Sequence, residues 1–122
     1  MKSFLLVFLG GGLGSALRYL VASAMNQYSK VLPFGTFTVN MLGCLLIGLI
    51  LGYAQKENTL TSNQTLLLAT GFCGGFTTFS AFANENLELI KNGEIFNFSV
   101  YTIGSILVGV LAVFIGFYLT NR

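Results

Sequence analysis

Residues 71–85 read GFCGGFTTFSAFANE and gather most of the groups in the chain that could do chemistry inside an apolar segment. Hydroxyls at Thr77, Thr78 and Ser80 are interleaved with the rings of Phe79 and Phe82, and a carboxylate follows at Glu85. Hydroxyl groups can replace the water around an ion, and aromatic rings carry a positive edge that suits a small anion. The same stretch is a poor helix interior. Glycine costs about 1 kcal/mol relative to alanine, and hydroxyl side chains compete for backbone hydrogen bonds and favour caps. A helix is therefore expected to stop near Gly74, cross a short irregular segment and restart near Ser80. Non-helical backbone at membrane depth survives only when buried in protein or lining a wet cavity, which makes the break a site. The restarted helix aims its N-terminal dipole into the gap, whereas the preceding half-helix presents free carbonyls that suit a cation such as sodium.

Composition says what must surround this stretch. Of 122 residues, 54% are hydrophobic and only 8% charged, too apolar for an ordinary soluble domain. Histidine and aspartate are both absent, which removes the usual metal ligands and the commonest proton-transfer residue. An enzyme is not expected. The net charge of +2 comes from six basic and four acidic residues, scattered singly, so no basic patch points to nucleic acid. GGGLG near the start lacks both the spacing of a dinucleotide fingerprint and the lysine of a phosphate loop, so no nucleotide is expected. Cys44 and Cys73 both lie in apolar segments and read as buried free thiols. The N-terminus resembles a signal peptide in outline, but the apolar run continues past Arg18 without a convincing cleavage site.

Four apolar segments, Phe4–Met25, Pro33–Tyr53, Gln64–Ile90 and Ile95–Leu119, are each long enough to span a bilayer. They are joined by short polar stretches, Asn26–Leu32, Gln55–Asn63 and Lys91–Glu94. The expectation is an all-α membrane protein, one domain over residues 1–122, with four transmembrane helices of which the third is broken. Pro33 suits a first helical turn and Asn63 a cap. In the first span, the pairs Gly10, Gly14 and Gly12, Ala16 allow close helix approach. Arg18 lies well inside this span, either bonding backbone carbonyls or drawing anions to a vestibule. The second span has a stripe of Thr36, Asn40, Cys44, Gly48 and Gly52. There the Asn40 amide either glues helices together or donates to an ion. The fourth carries Tyr101, Thr102, Ser105, Gly109, Ala112 and Gly116, a packing seam or a polar track. Paired phenylalanines such as Phe79 and Phe82 are usually core packing, and Glu88 reads as interfacial.

Successive connections alternate sides, so Lys2, Lys56 and Arg122 oppose Lys30 and Lys91. Three against two is almost no bias, whereas orientation normally follows a lysine/arginine excess. Such a chain can insert both ways and pair antiparallel with itself.

GGGLGSALRY, GTFTVNMLGCLLIG and GFCGGFTTFSAFANE, in that order, make the chain resemble the small bacterial fluoride channels of the Fluc/CrcB family over essentially its whole length. The resemblance implies an antiparallel, dual-topology homodimer in the bacterial cytoplasmic membrane. It also implies two fluoride pathways, a central structural sodium ion, and passive export that protects the cell from fluoride. By match to the family's motifs, Asn40 is the pore asparagine, and Phe79 and Phe82 are the pore phenylalanines. Gly74 and Thr77 hold sodium through their backbone carbonyls. Thr78, Ser80, Tyr101 and Ser105 belong to the polar track, Glu85 is an acidic residue near it, and Arg18 is the arginine of the first helix. Phe76 and Ala81 are local variations that leave these positions intact. A proton-coupled small multidrug exporter shares the four-helix antiparallel plan, but it needs a carboxylate in the first helices, where this chain has Arg18.

Overall fold

The computed structural model describes residues 1–56 and 59–122, and every regular element among them is a helix. Helix α1 is Lys2–Asn26 and α2 is Phe34–Gln55. Helix α3 covers residues 62–76 as three continuous pieces, Ser62–Thr65, Leu66–Cys73 and Gly74–Phe76. Helix α4 is Phe79–Lys91 and α5 is Ile95–Thr120. Helices α1, α2 and α5, and α3 with α4 as Ser62–Lys91, are long and apolar enough to cross a membrane. These are the four expected spans, with ends shifted by a few residues. Of the expected connection Gln55–Asn63, Glu57 and Asn58 lie outside the described residues.

Capping chemistry sets several ends. Pro33 is the N-cap of α2 rather than its first helical residue. Thr61, not Asn63, caps α3. Its hydroxyl accepts from the Gln64 N–H while the Gln64 side chain accepts from the Thr61 N–H, a reciprocal capping box. The α4–α5 turn closes on Gly93, whose φ of +74° is the left-handed conformation that glycine adopts at helix ends.

The bundle is held by backbone-to-backbone contact along two glycine seams. Gly10 and Gly14 of α1 are buried against α3, and a Cβ on Gly71 would sit 3.1 Å from the Gly10 Cα. Gly12 meets nothing within 4 Å, so within one chain the first of the two expected small-residue pairs on α1 is the one that packs. The second seam joins α2 to α5, where a Cβ on Gly116 would lie 2.8 Å from the Leu49 N. Val39, Cys73, Phe76, Leu89 and Tyr101 fill the core between the seams.

Two features of α3 depart from expectation. Leu66–Cys73 is a π-helix, with the Gly74 N–H reaching back to the Ala69 carbonyl five residues earlier. Gly74 and Gly75 are helical, and the chain leaves the helix only at Thr77 and Thr78, restarting at Phe79. The expected irregular stretch is thus two residues long. The glycine penalty is overridden because Gly75 lies directly against the Gly11 backbone of α1, where a larger residue would not fit.

Candidate functional site

At the break, Thr77 (φ −84°, ψ 157°) and Thr78 (φ −147°, ψ 124°) are extended. A continuous helix would direct the Thr78 and Phe79 N–H groups to the carbonyls of Gly74 and Gly75. Side chains from two other helices take over the Thr78 N–H and the Gly75 carbonyl. Thr78 N–H donates to the Asn40 Oδ1 at 2.8 Å, and the Asn40 Nδ2 donates to the Thr78 carbonyl at 3.0 Å. One amide thus satisfies both main-chain groups of Thr78, as a neighbouring strand would. Arg18 Nε donates to the Gly75 carbonyl at 2.9 Å, with Ser15 Oγ at 3.4 Å from the same oxygen. Thr77 turns inward, its N–H and hydroxyl both donating to the Cys73 carbonyl at 3.0 and 2.9 Å. Thr78 then caps α4, its Oγ1 accepting from the Ala81 N–H at 3.2 Å.

Asn40 is therefore interhelical glue, as one of its two sequence readings held, and it keeps one Nδ2 hydrogen beyond the bond to Thr78. Arg18 likewise braces the break. It also lines a cavity of about 470 Å³ with Ser15, Thr36, Thr78 and Glu85, so its cationic group borders open space as well.

On another side of the break, Asn40, Thr78, Phe79, Phe82 and Ser105 surround a cavity of about 260 Å³. Phe79 is 78% exposed, a large apolar side chain at a polar gap. The Phe79 and Phe82 ring centroids are 5.7 Å apart and those of Phe82 and Tyr101 5.1 Å, forming an aromatic file from α4 to α5. Ser105 Oγ is buried without a hydrogen-bond partner. Buried hydroxyls are normally bonded, and this exception sits on a residue that borders the cavity.

Glu85 closes the file. Its carboxylate accepts from the Thr36 hydroxyl at 2.8 Å and from the Tyr101 hydroxyl at 3.0 Å, tying α2, α4 and α5 together one turn beyond Phe82. Glu88, as expected, is peripheral and exposed, 3.3 Å from Lys91 Nζ. Gly74 lies in a neighbouring groove of about 410 Å³ that also borders Asn40, and Thr77 lines both this groove and the cavity of the phenylalanines.

The structure thus brings Asn40, Thr78, Phe79, Phe82 and Ser105 to one cavity, and joins Tyr101 and Glu85 to it through the aromatic file. Ser80 stands apart. It is exposed and its hydroxyl reaches only that of Thr78, at 3.3 Å. The sequence reading named Thr36 and Thr102 only as members of polar stripes and did not name Ser15 or Asn86, whose side chain bonds that of Thr102 at 3.1 Å. Spacing held a signal for two of them, since Ser15 is one turn before Arg18 and Thr36 one turn before Asn40.

Residues 5–117 match the family model described as CrcB-like protein, Camphor Resistance (CrcB). The chain is 47% identical to the fluoride-specific ion channel FluC of Phocaeicola vulgatus, over 99% of this chain and 100% of that one. It is 49% identical to the protein of the same name from Gloeothece citriformis, and 43% to that from Flavobacterium psychrophilum, each over 100% of this chain and 99% of the relative.

Proposed function

The chain belongs to the CrcB family, a multi-pass membrane protein, and from that premise we propose that it is a channel that passes fluoride passively across the cell membrane. The observation that carries this reading is the convergence of Asn40, Thr78, Phe79, Phe82 and Ser105 on one cavity at the break in the third span.

Fluoride is small, strongly hydrated and a strong hydrogen-bond acceptor. A selective path must replace its water with donors, yet hold no full positive charge that would trap it. The free Nδ2 hydrogen of Asn40, the Ser105 hydroxyl and the ring edges of Phe79 and Phe82 are donors of that kind. In this reading Thr78 shapes the path through its capping hydroxyl, Ser80 marks its exposed end, and Tyr101 is held by Glu85 beside Phe82. Arg18 supplies the positive charge of the neighbouring vestibule, and its bond to Gly75 keeps the gap open. A multidrug-exporter reading finds no support, because α1 offers no carboxylate and its one half-buried charge, Arg18, is engaged with the Gly75 carbonyl.

Two pathways in an antiparallel homodimer complete the proposal. A lone four-helix chain leaves Phe79 and Gly74 exposed at its most polar site, and the near-even lysine/arginine distribution permits insertion in both orientations. A structural sodium ion fits the residues at hand. The Thr78 N–H that would occupy the Gly74 carbonyl in a continuous helix goes to Asn40 instead, and the space above Gly74 is open. The carbonyls of Gly74 and Thr77 are hard oxygen ligands of the type such a cation takes. They would hold it between two copies, where its charge would offset the convergence of carbonyl dipoles.

The test is purified protein in liposomes loaded with potassium fluoride, with efflux followed by a fluoride electrode after a potassium ionophore is added. Rapid fluoride release without chloride release is expected. Equal release of both halides, or none of fluoride from a monodisperse preparation, would overturn the reading.

A further inference from the structure

The two cysteines carry no role in the reading above, yet they border the same break, and Cys44 lines the cavity of Asn40, Phe79 and Phe82 as well. Cys44 of α2 is half-buried, Cys73 of α3 is 2% exposed, and both are free thiols. Both line the groove of about 410 Å³ that also holds Gly74 and Thr77. The two helices are in contact next to them. A Cβ on Gly43 would run into the Thr77 methyl group and come 3.4 Å from the Phe76 ring. Thr77 is in turn bonded to the Cys73 carbonyl through both its N–H and its hydroxyl. One residue along α2 from Gly43, and one turn back along α3 from Thr77, the two cysteines border one recess, with the Cys44 Sγ 3.5 Å from where a Cβ on Gly109 of α5 would sit. Ile47 and Ala69 supply apolar wall, and among the described residues no carboxylate lines the groove.

Such a recess discriminates by softness. Thiolates select soft d¹⁰ cations such as Cu⁺, Ag⁺ and Hg²⁺, whereas carbonyl and hydroxyl oxygens suit hard ones. These soft ions accept two-coordinate, linear ligation, so two sulfurs suffice and no third residue is needed. We propose that Cys44 and Cys73 form a two-thiol site for a thiophilic d¹⁰ cation, bridging α2 to α3 one turn before the break. Each thiol releases one proton to water as its metal–sulfur bond forms, and nothing is oxidised or reduced. The bridge ties α2 to α3 beside Asn40 and Thr77, so it stiffens the break and slows conduction. That last consequence alone rests on the fluoride-channel reading.

The probe is mercuric chloride, added to purified protein in detergent and to protein in liposomes. Native mass spectrometry should find one mercury per chain with two protons displaced, and both thiols should become unreactive to maleimide. Cys44→Ala and Cys73→Ala should each weaken binding about 100-fold, the usual loss when one arm of a two-point attachment is removed. Fluoride efflux from wild-type liposomes should fall about tenfold with mercury, while each variant keeps its own metal-free rate. Two mercury ions per chain, one per two chains, or undiminished binding by either variant would overturn the two-thiol site. A chain that binds one mercury through both thiols but passes no fluoride before metal is added would instead count against the channel reading and leave the site standing.

Discussion

The seam between α2 and α5 and the break between α3 and α4 both bring backbone into the middle of an apolar bundle, in opposite ways. At the seam the main chain is satisfied within each helix, and glycines let two cylinders touch. Gly48 and Gly52 lie against Val113 and Phe117, and Gly116 against Leu45 and Leu49. At the break the helix gives up its own bonds and borrows replacements, from Asn40 on α2 and from Arg18 and Ser15 on α1. The seam needs small residues, and Thr120 adds one polar bond across it, to the Leu49 carbonyl at 2.8 Å. The break needs polar residues and tolerates space, as the cavities on its sides indicate. Glycine is therefore a packing device in this chain, and what opens the third span is a set of side chains on other helices.

The largest effect is expected at the seam. Gly116→Ala would place a methyl carbon 2.8 Å from the Leu49 N, a contact that no rotamer change relieves. Overpacking of this kind costs about 3 kcal/mol or more when backbone must move. Thermal unfolding in detergent, read by the loss of the monodisperse chromatographic peak, should shift down sharply. A wild-type melting profile would mean that the seam is softer than its geometry says.

At the break, Asn40→Asp should leave the seam and its melting largely intact and abolish fluoride flux. The carboxylate keeps the acceptor for the Thr78 N–H but turns a repelling oxygen on the Thr78 carbonyl and puts negative charge beside the cavity. A like charge about 4 Å from a passing anion costs it about 4 kcal/mol at an effective dielectric of about 20, so a flux loss of about 100-fold or more is expected. Wild-type flux would remove Asn40 from the path. Phe82→Ile is milder. It keeps bulk between Phe79 and Tyr101 but loses the polarised ring edge, and flux should fall about tenfold at unchanged melting temperature, about the worth of one aromatic contact. Unchanged flux would make Phe82 a packing residue, the commoner role for paired phenylalanines.

How much of this was legible in the sequence follows the same division. Spans and the small-residue stripe of α5 could be read because apolar length and fourfold spacing are properties of one segment at a time. The existence of a break was legible too, from Gly74 to Ser80. Its position was not, because helix propensity favours stopping at glycine while tertiary contact with Gly11 keeps Gly75 helical. The π-helical turn over Leu66–Cys73 left no mark in LLLATGFC, an ordinary apolar run. Asn40 could be weighed only as glue or donor, because choosing requires knowing that Thr78 lies opposite. The Thr36–Glu85–Tyr101 cluster joins three helices, and no spacing rule links residues that far apart in the chain.

Gly74 offers the smallest perturbation of the folded chain and the sharpest use of the contrast. It is adjacent to Gly75 in sequence and in the same helical turn, yet a Cβ there meets nothing within 4 Å, whereas one on Gly75 would enter the Gly11 backbone. Its φ of −62° and ψ of −36° are helical, so alanine is compatible and should stabilise α3 by up to about 1 kcal/mol. Gly74→Ala should therefore fold as well as the parent, and Gly75→Ala should not. The open space at Gly74 belongs to a single chain, however, and the proposed dimer brings a second copy and a cation to that carbonyl. If so, the added methyl group should weaken self-association by about tenfold, roughly the effect of one poorly fitting methyl at a packed contact. Single-molecule photobleaching in liposomes over a dilution series measures that shift directly. An unchanged dimer fraction would mean that the partner does not close over Gly74, and the sodium assignment to its carbonyl would then lose its footing even if fluoride still flowed.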